Sequence, residues 1–404
     1  RPDYNIWYSC GRVAPHQPTQ IAKEPVIVDG FEATTNLEGF DEGLAITGVV
    51  TESNVNLRHN LSVERLDTIE MVGNDLMLTG DQASGRSITA PANFSLWLKD
   101  LSSTADLSRV SDNIFVRVLL SRDADISNAV DVSAVREYFL FGQTIIIAAS
   151  SLYQVGNQPT IAAGAEAFHH AYMDWSTAST GSEVVVTGVQ NNTNFSSFLV
   201  TNYGDPNLTV RVDENNTIDL SSNNTLGAVT GFEIGIGATL TIRAGQVNGD
   251  TATGDGSIVV SELNGSEADL SDIKPLGGVT LALGATDASL GAAFSFAGTT
   301  YAVSSDGART LDITAVGALP EGAGFVVGAD ATLRLTAAQA DSLSVSGAGN
   351  VVITDLNGSE ADLLEIDVSG DISFDLGSAD ASLGAAFSFA GTTYAVSSDG
   401  ARTL

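Results

Sequence analysis

The sequence predicts a mainly β protein, with a β-sandwich-like N-terminal domain followed by a tandem array of 93-residue β repeats. Three observations carry this reading. Residues 288–311 recur letter for letter as residues 381–404, an offset of 93, and the same offset carries residues 263–270 onto 356–363. Apolar and polar residues alternate with period two, as where Leu333 and Leu335 stand between Thr332, Arg334 and Thr336, which is the pattern of half-buried strands. Turn formers such as Asp306 with Gly307, or Gly347 and Gly349, separate these apolar segments.

Residues 1–30 read as an extended arm. Pro2, Pro15, Pro18 and Pro25 oppose helix, and Trp7 and Tyr8 are candidate anchors for assembly on a neighbouring subunit. Residues 31–181 show no obvious repeat and hold larger side chains, so they read as a unique anchoring or assembly domain. Segments 113–121 and 138–149 are short, β-branched or aromatic runs expected to be buried strands. Short helices are expected at 101–110 and 133–138. The array is divided into a diverged repeat at 182–274, a second repeat at 275–367, and a truncated third at 368–404. The opening Arg1 and the stop inside a repeat predict a longer gene product.

Two folds suit a repeat of about eight short strands. Several coils of a β-solenoid are favoured, because the repeats are rich in Ala, Gly, Ser and Thr and contain no Trp. An Ig-like sandwich per repeat is the alternative.

Composition excludes several functions. There are 17 basic against 49 acidic residues, a formal charge of −32, and such a surface repels nucleic-acid phosphates. No uninterrupted apolar run is long enough to predict a transmembrane segment. The single cysteine, Cys10, has no internal partner. No hydrolase elbow or phosphate-cradling loop is present, so no enzyme activity is expected.

Calcium is the candidate cofactor. Asp250, Asp255, Asp213 and Asp306 lie in or beside predicted turns, with Asp219 and Asp312 in similar positions, where carboxylates and carbonyls can join around that ion. A second polar cluster, Glu166, His169, His170 and Asp174, would place two carboxylates and an imidazole on one helical face. Asn60, Asn93, Asn194, Asn207, Asn215, Asn264 and Asn357 head glycosylation triplets.

The run at 332–356, with its near-identical tandem copies, resembles the β-strand repeats of very large bacterial surface proteins: S-layer components, filament proteins and secreted adhesins. Similar repeats occur in phage fibres. The resemblance covers residues 182–404. It implies a non-enzymatic structural subunit of an extracellular filament, surface layer or adhesive stalk on a microbe, self-associating into a homo-oligomer or polymer. The alternative is a phage tail or capsid fibre on a virion. Modularity adds one expectation: Phe294, Phe296, Tyr301 and Val303 should occupy the same core positions as Phe387, Phe389, Tyr394 and Val396.

Overall fold

The computed structural model describes residues 26–404 except 39, 41–43, 74, 92–93, 141–142, 149–159, 164–181, 194, 196–206, 225 and 390–392. The chain divides into two compact units: residues 1–187 with 196–208, and residues 188–195 with 209–404. Each is a parallel β-solenoid.

In unit 1, one sheet stacks Val26–Asp29, Ile46–Val50, Thr68–Met71 and Ser87–Thr89 in order. A second stacks Val55–Asn56, Asp75–Thr79, Phe94–Lys99, Ile114–Leu119, Val135–Leu140 and Thr160–Ala163. A third begins with Ala124–Asp125, Thr144–Ala148 and Glu183–Thr187. All of these pairings are parallel, so the expected N-terminal sandwich is replaced by coils. Period-two alternation is the same for parallel and antiparallel strands. What differs is the connection: the chain travels round a whole coil before it meets its hydrogen-bonded partner. The core is a set of stacked columns, such as Leu78, Leu98, Val118 and Tyr138, which are in register and 0–1% exposed.

The two expected helices are absent. Residues 101–110 form turns and isolated bridges, and 133–138 run into strand Val135–Leu140. Asp106 and Asp131 each accept the backbone N–H two residues on. Such aspartate turns compete with the first turn of a helix.

In unit 2 the coils vary in length. A short one carries Thr239 to its partner Ser257, and a longer one carries Tyr301 to Phe325. The longest sheet passes through Thr217–Asp219, Thr239–Arg243, Ser257–Ser261, Val279–Ala282, Thr300–Ser304, Gly324–Val327, Ser344–Gly347 and Ile366–Val368. Along it Leu240, Ile258, Val279, Tyr301, Phe325, Val345 and Ile366 form one in-register column, each at most 2% exposed. Burying each such side chain contributes roughly 1.5–3 kcal/mol. Beside it lie a sheet containing Gly231–Ile234 and Thr251–Gly254, and one running from Ala288–Ser289 through Arg309–Asp312, Ala331–Thr336, Asn350–Thr354 and Ile372–Asp375 to Tyr394–Ser397.

The structural unit is therefore the coil, and the 93-residue sequence period is not a whole number of coils. Four coils carry Leu240 to Phe325, whereas the sequence period carries it past Phe325 to Leu333. The excess from Phe325 to Leu333 equals the step from Phe232 on one sheet to Leu240 on the next. Each copy is consequently displaced by one sheet. Tyr301 lies on the sheet of Val279 and Phe325, whereas its copy Tyr394 lies on that of Ile372.

The aromatic set is locally equivalent in both copies. Phe294–Phe296 and Phe387–Phe389 centroids are 5.0 and 5.1 Å apart, and Phe296–Tyr301 and Phe389–Tyr394 are 5.0 and 5.3 Å apart. Burial differs, contrary to expectation. Phe296 is 4% exposed, Tyr301 0% and Val303 2%, while Phe389 is 44% and Val396 53% exposed. Phe325 of the following coil packs on Phe296 and Tyr301 at 5.6 and 6.0 Å, and no described coil stacks on the last copy.

One motif occurs three times among the described residues, in both units. Gln82, Gln246 and Gln339 each donate their side-chain amide to two carbonyls of the preceding coil: Leu57 and Asn60, Leu220 and Asn223, Ile313 and Val316. Two residues on, Ser84, Asn248 and Asp341 accept the N–H of Asp106, Asp269 and Asp362 at 3.0, 2.7 and 2.8 Å. Asp100, Glu262 and Asp355 share a positive φ of 56°, 51° and 53°. Residues 54–110 of unit 1 are thus a diverged copy of the array's unit. The region read as unrepeated contains the same coil design.

Candidate functional site

The turn acids are engaged largely by neighbouring backbone. Asp100, Asp123, Asp287 and Asp380 accept N–H groups of Ser121, Thr144, Thr310 and Thr403 in the next coil, at 2.7–2.9 Å. The ladder of N–H···O bonds between coils is continued by side chains where the strands end. This gives a structural reason for many of the acidic residues.

Of the candidate calcium ligands, Asp213 bonds backbone far away in sequence, while Asp219 and Asp312 close their own turns. Asp213 accepts the N–H of Gly188 at 3.1 Å, Asp219 the N–H and hydroxyl of Ser221, and Asp312 those of Thr314. Asp306 is an exposed turn residue whose own N–H bonds Gly284 at 2.8 Å. Asp250 precedes and Asp255 follows strand Thr251–Gly254, which at roughly 3.3 Å per residue sets them on the order of 16 Å apart. They are not brought together, and no group of three or more His, Cys, Asp or Glu suited to a metal occurs among the described residues. Trp7, Tyr8, Cys10 and the Glu166–His169–His170–Asp174 cluster lie outside the described residues, as do Asn93 and Asn194.

Asn60 is withdrawn as a glycan acceptor. It is 7% exposed, its amide donates to the carbonyls of Glu32 and Thr35, and its oxygen accepts from Ser62. It caps the helical turn Leu61–Arg65. Asn264 and Asn357 are exposed, and their oxygens accept the N–H of Ser289 and Ser382.

Two features stand out chemically. On the outward face of unit 1's second sheet the Arg117 guanidinium lies 4.8 Å from the Trp97 ring and 4.5 Å from that of Phe115, a cation–π arrangement, and Trp97 stacks on Phe139 at 6.0 Å.

The other is a cavity of about 300 Å³ in unit 2, with Asp250 in its wall. It adjoins a wider furrow of about 530 Å³, and Arg243 and Asn248 line both. Arg243 is held by the Asn224 oxygen at 2.8 Å and by Glu262 at 3.7 Å. The Asp250 carboxylate makes no hydrogen bond or ion pair with any described residue, and burial raises its pKa from 3.8 to about 6.

The recurring coil places Asp250 in register with Arg86 and Leu343. Their backbone N–H groups bond Val247, Ala83 and Ala340, respectively, each three residues back, directly after the shared Gln and Ser/Asn/Asp positions. Sequence reasoning singled out Asp250 as a carboxylate in or beside a turn and missed this equivalence. The signal that could have found it is the Gln following an alternating apolar run at 76–82, 240–246 and 333–339.

No family model, curated protein or solved structure matches the chain.

Proposed function

We propose that this chain is a non-enzymatic structural protein, a stalk or filament segment displayed outside a microbial cell, whose parallel coils build length. The observation that carries the reading is the reuse of one coil design in different settings. The Gln82, Gln246 and Gln339 bonds recur in both units, and an identical block, residues 288–311 and 381–404, is built onto two different sheets. A coil that accepts any sibling as its neighbour can be added without redesign, and each addition advances the stack by about 4.8 Å. Turn carboxylates and amides that bond the next coil suit a part selected for stiffness along its axis.

The test is an insertion. A second copy of residues 275–367 placed after residue 367 adds four coils and a strand step. Small-angle scattering and electron microscopy should then show a folded particle longer by roughly 20 Å at unchanged cross-section. A particle that thickens, or that misfolds, overturns the reading. Labelling intact cells with antibody to the folded chain tests the location, and a signal only after lysis refutes it.

A further inference from the structure

We propose that the cavity beside Asp250 is a socket for a guanidinium group brought by a ligand, at the place where unit 1 seats its own Arg86. In unit 1 the Arg86 side chain lies across the preceding coil. Its Nε donates to the carbonyl of Leu66 at 3.0 Å and Nη2 to that of Glu64 at 2.9 Å, while Nη1 reaches the carbonyls of Gln82, Asp81 and Ser84 at 2.8, 3.2 and 3.4 Å. A planar fork of donors is thereby satisfied by carbonyl oxygens arranged around it.

The counterparts of those five residues in unit 2 are Val229, Gly227, Gln246, Gly245 and Asn248, and all five line the cavity. The counterpart of Arg86 itself is Asp250. In the next copy the position is Leu343, a side chain only 6% exposed. Two of the three copies therefore fill this place with a long side chain of their own. The middle copy has a short carboxylate instead, and a cavity of about 300 Å³ results. What lined a cation's seat in unit 1 is retained, the side chain that filled it there is replaced by an anion, and the Arg243 guanidinium in the wall is drawn to the Asn224 oxygen and Glu262.

The chemistry of that arrangement selects the ligand. Carbonyl oxygens and a carboxylate accept hydrogen bonds and favour positive charge, and a guanidinium matches several carbonyls at once where an ammonium matches fewer. The carboxylate is half buried with no described partner, a state that a bound cation relieves. A formal charge of −32 steers basic ligands toward the chain in addition. The inference does not depend on the stalk reading and would stand if that reading failed.

Isothermal titration of the full chain tests it. The probes are N-acetyl-Gly-Arg-Gly-amide and free L-argininamide, each beside its citrulline counterpart, which keeps the shape and removes the charge. The expected result is saturable binding of an arginine compound, at least tenfold tighter than its citrulline partner, and lost in Asp250→Leu and Asp250→Arg. Those two variants carry side chains that equivalent coils already hold, so they should melt no lower than the parent. Asp255→Asn, at the far end of the strand, should bind as the parent does. Tighter binding of the peptide assigns the guanidinium to a protein partner, and tighter binding of argininamide assigns it to a small molecule; both support the socket. Absence of saturable binding, equal binding of citrulline, or undiminished binding in both Asp250 variants overturns it.

Discussion

Gln246 and Gln339, one sequence period apart, staple their coils to the preceding ones through the same pair of acceptors, Leu220 and Asn223 for one and Ile313 and Val316 for the other. A backbone ladder holds strands together but leaves the turn between sheets free to part. The glutamine closes that gap from inside, since Gln339 is 8% exposed and its amide reaches both carbonyls at 2.8 Å.

Removing that staple should be costly. Gln339→Leu keeps much of the volume but leaves two carbonyls without their donor, and the expected loss is about 2–4 kcal/mol. Urea unfolding of the variant measures it. A loss smaller than that of a single ordinary hydrogen bond would mean that water replaces the amide, and the staple would then be dispensable.

Asp250 should make stability depend on pH in an unusual direction. Its folded pKa of about 6 lies above the ordinary 3.8, so between pH 4 and 6 the folded state holds a proton that the unfolded state has released. Stability from this group is therefore full below pH 4, falls as pH rises to 6, and stays low above it. A two-unit shift corresponds to about 3 kcal/mol, and solvent screening of a half-exposed carboxylate reduces this to about 1 kcal/mol. Asp250→Asn should melt higher than the parent at pH 7 and equal to it at pH 4. The same difference at both values would remove the carboxylate as its source.

Coil stacking predicts different costs for aromatics in the two copies. Phe325 is 1% exposed and covers Phe296 and Tyr301, whereas Phe389 is 44% exposed. Phe325→Ala should cost about 3–5 kcal/mol and Phe389→Ala less than about 1.5 kcal/mol. Calorimetry on the two variants gives the comparison, and equal losses would show that the last coil is packed like an interior one.

Arg334 joins coils of the array electrostatically, reaching Asp375 two coils on at 2.7 Å and Asp312 one coil back at 3.6 Å. Backbone N–H bonding from Gly377, followed by Arg334, lowers the Asp375 pKa. Its contribution is present at neutral pH and is lost as pH falls through that lowered pKa. Arg334→Ala should cost no more than about 1 kcal/mol at pH 7 and nothing in concentrated salt. An effect that survives both acid and salt would come from packing of the side-chain stem instead.

Much of the coil was legible in the chain. Alternation at Leu333 and Leu335 identifies inward positions correctly because only one face of the strand meets the core. The bonds that join coils were hidden. The partner of Asp362's N–H is Asp341, one coil earlier, and no local pattern distinguishes such an acceptor from a solvated acid, so the same kind of residue read as a calcium ligand.

The sequence by itself determined that the protein is mainly β, that it repeats, and which side chains face inward, because these depend on local alternation and on letters that recur. Only the tertiary structure decided that strands pair in parallel about one coil away, that the sequence period displaces each copy by one sheet, and that residues 54–110 belong to the same design. The physical reason is that strand alternation carries no information about the partner strand. Gln82, Gln246 and Gln339 bond acceptors 22–26 residues earlier in the chain, beyond the reach of local alternation. Asp250 occupies the place where Arg86 and Leu343 stand in the other copies, a difference that becomes chemistry only when the three coils are compared in space.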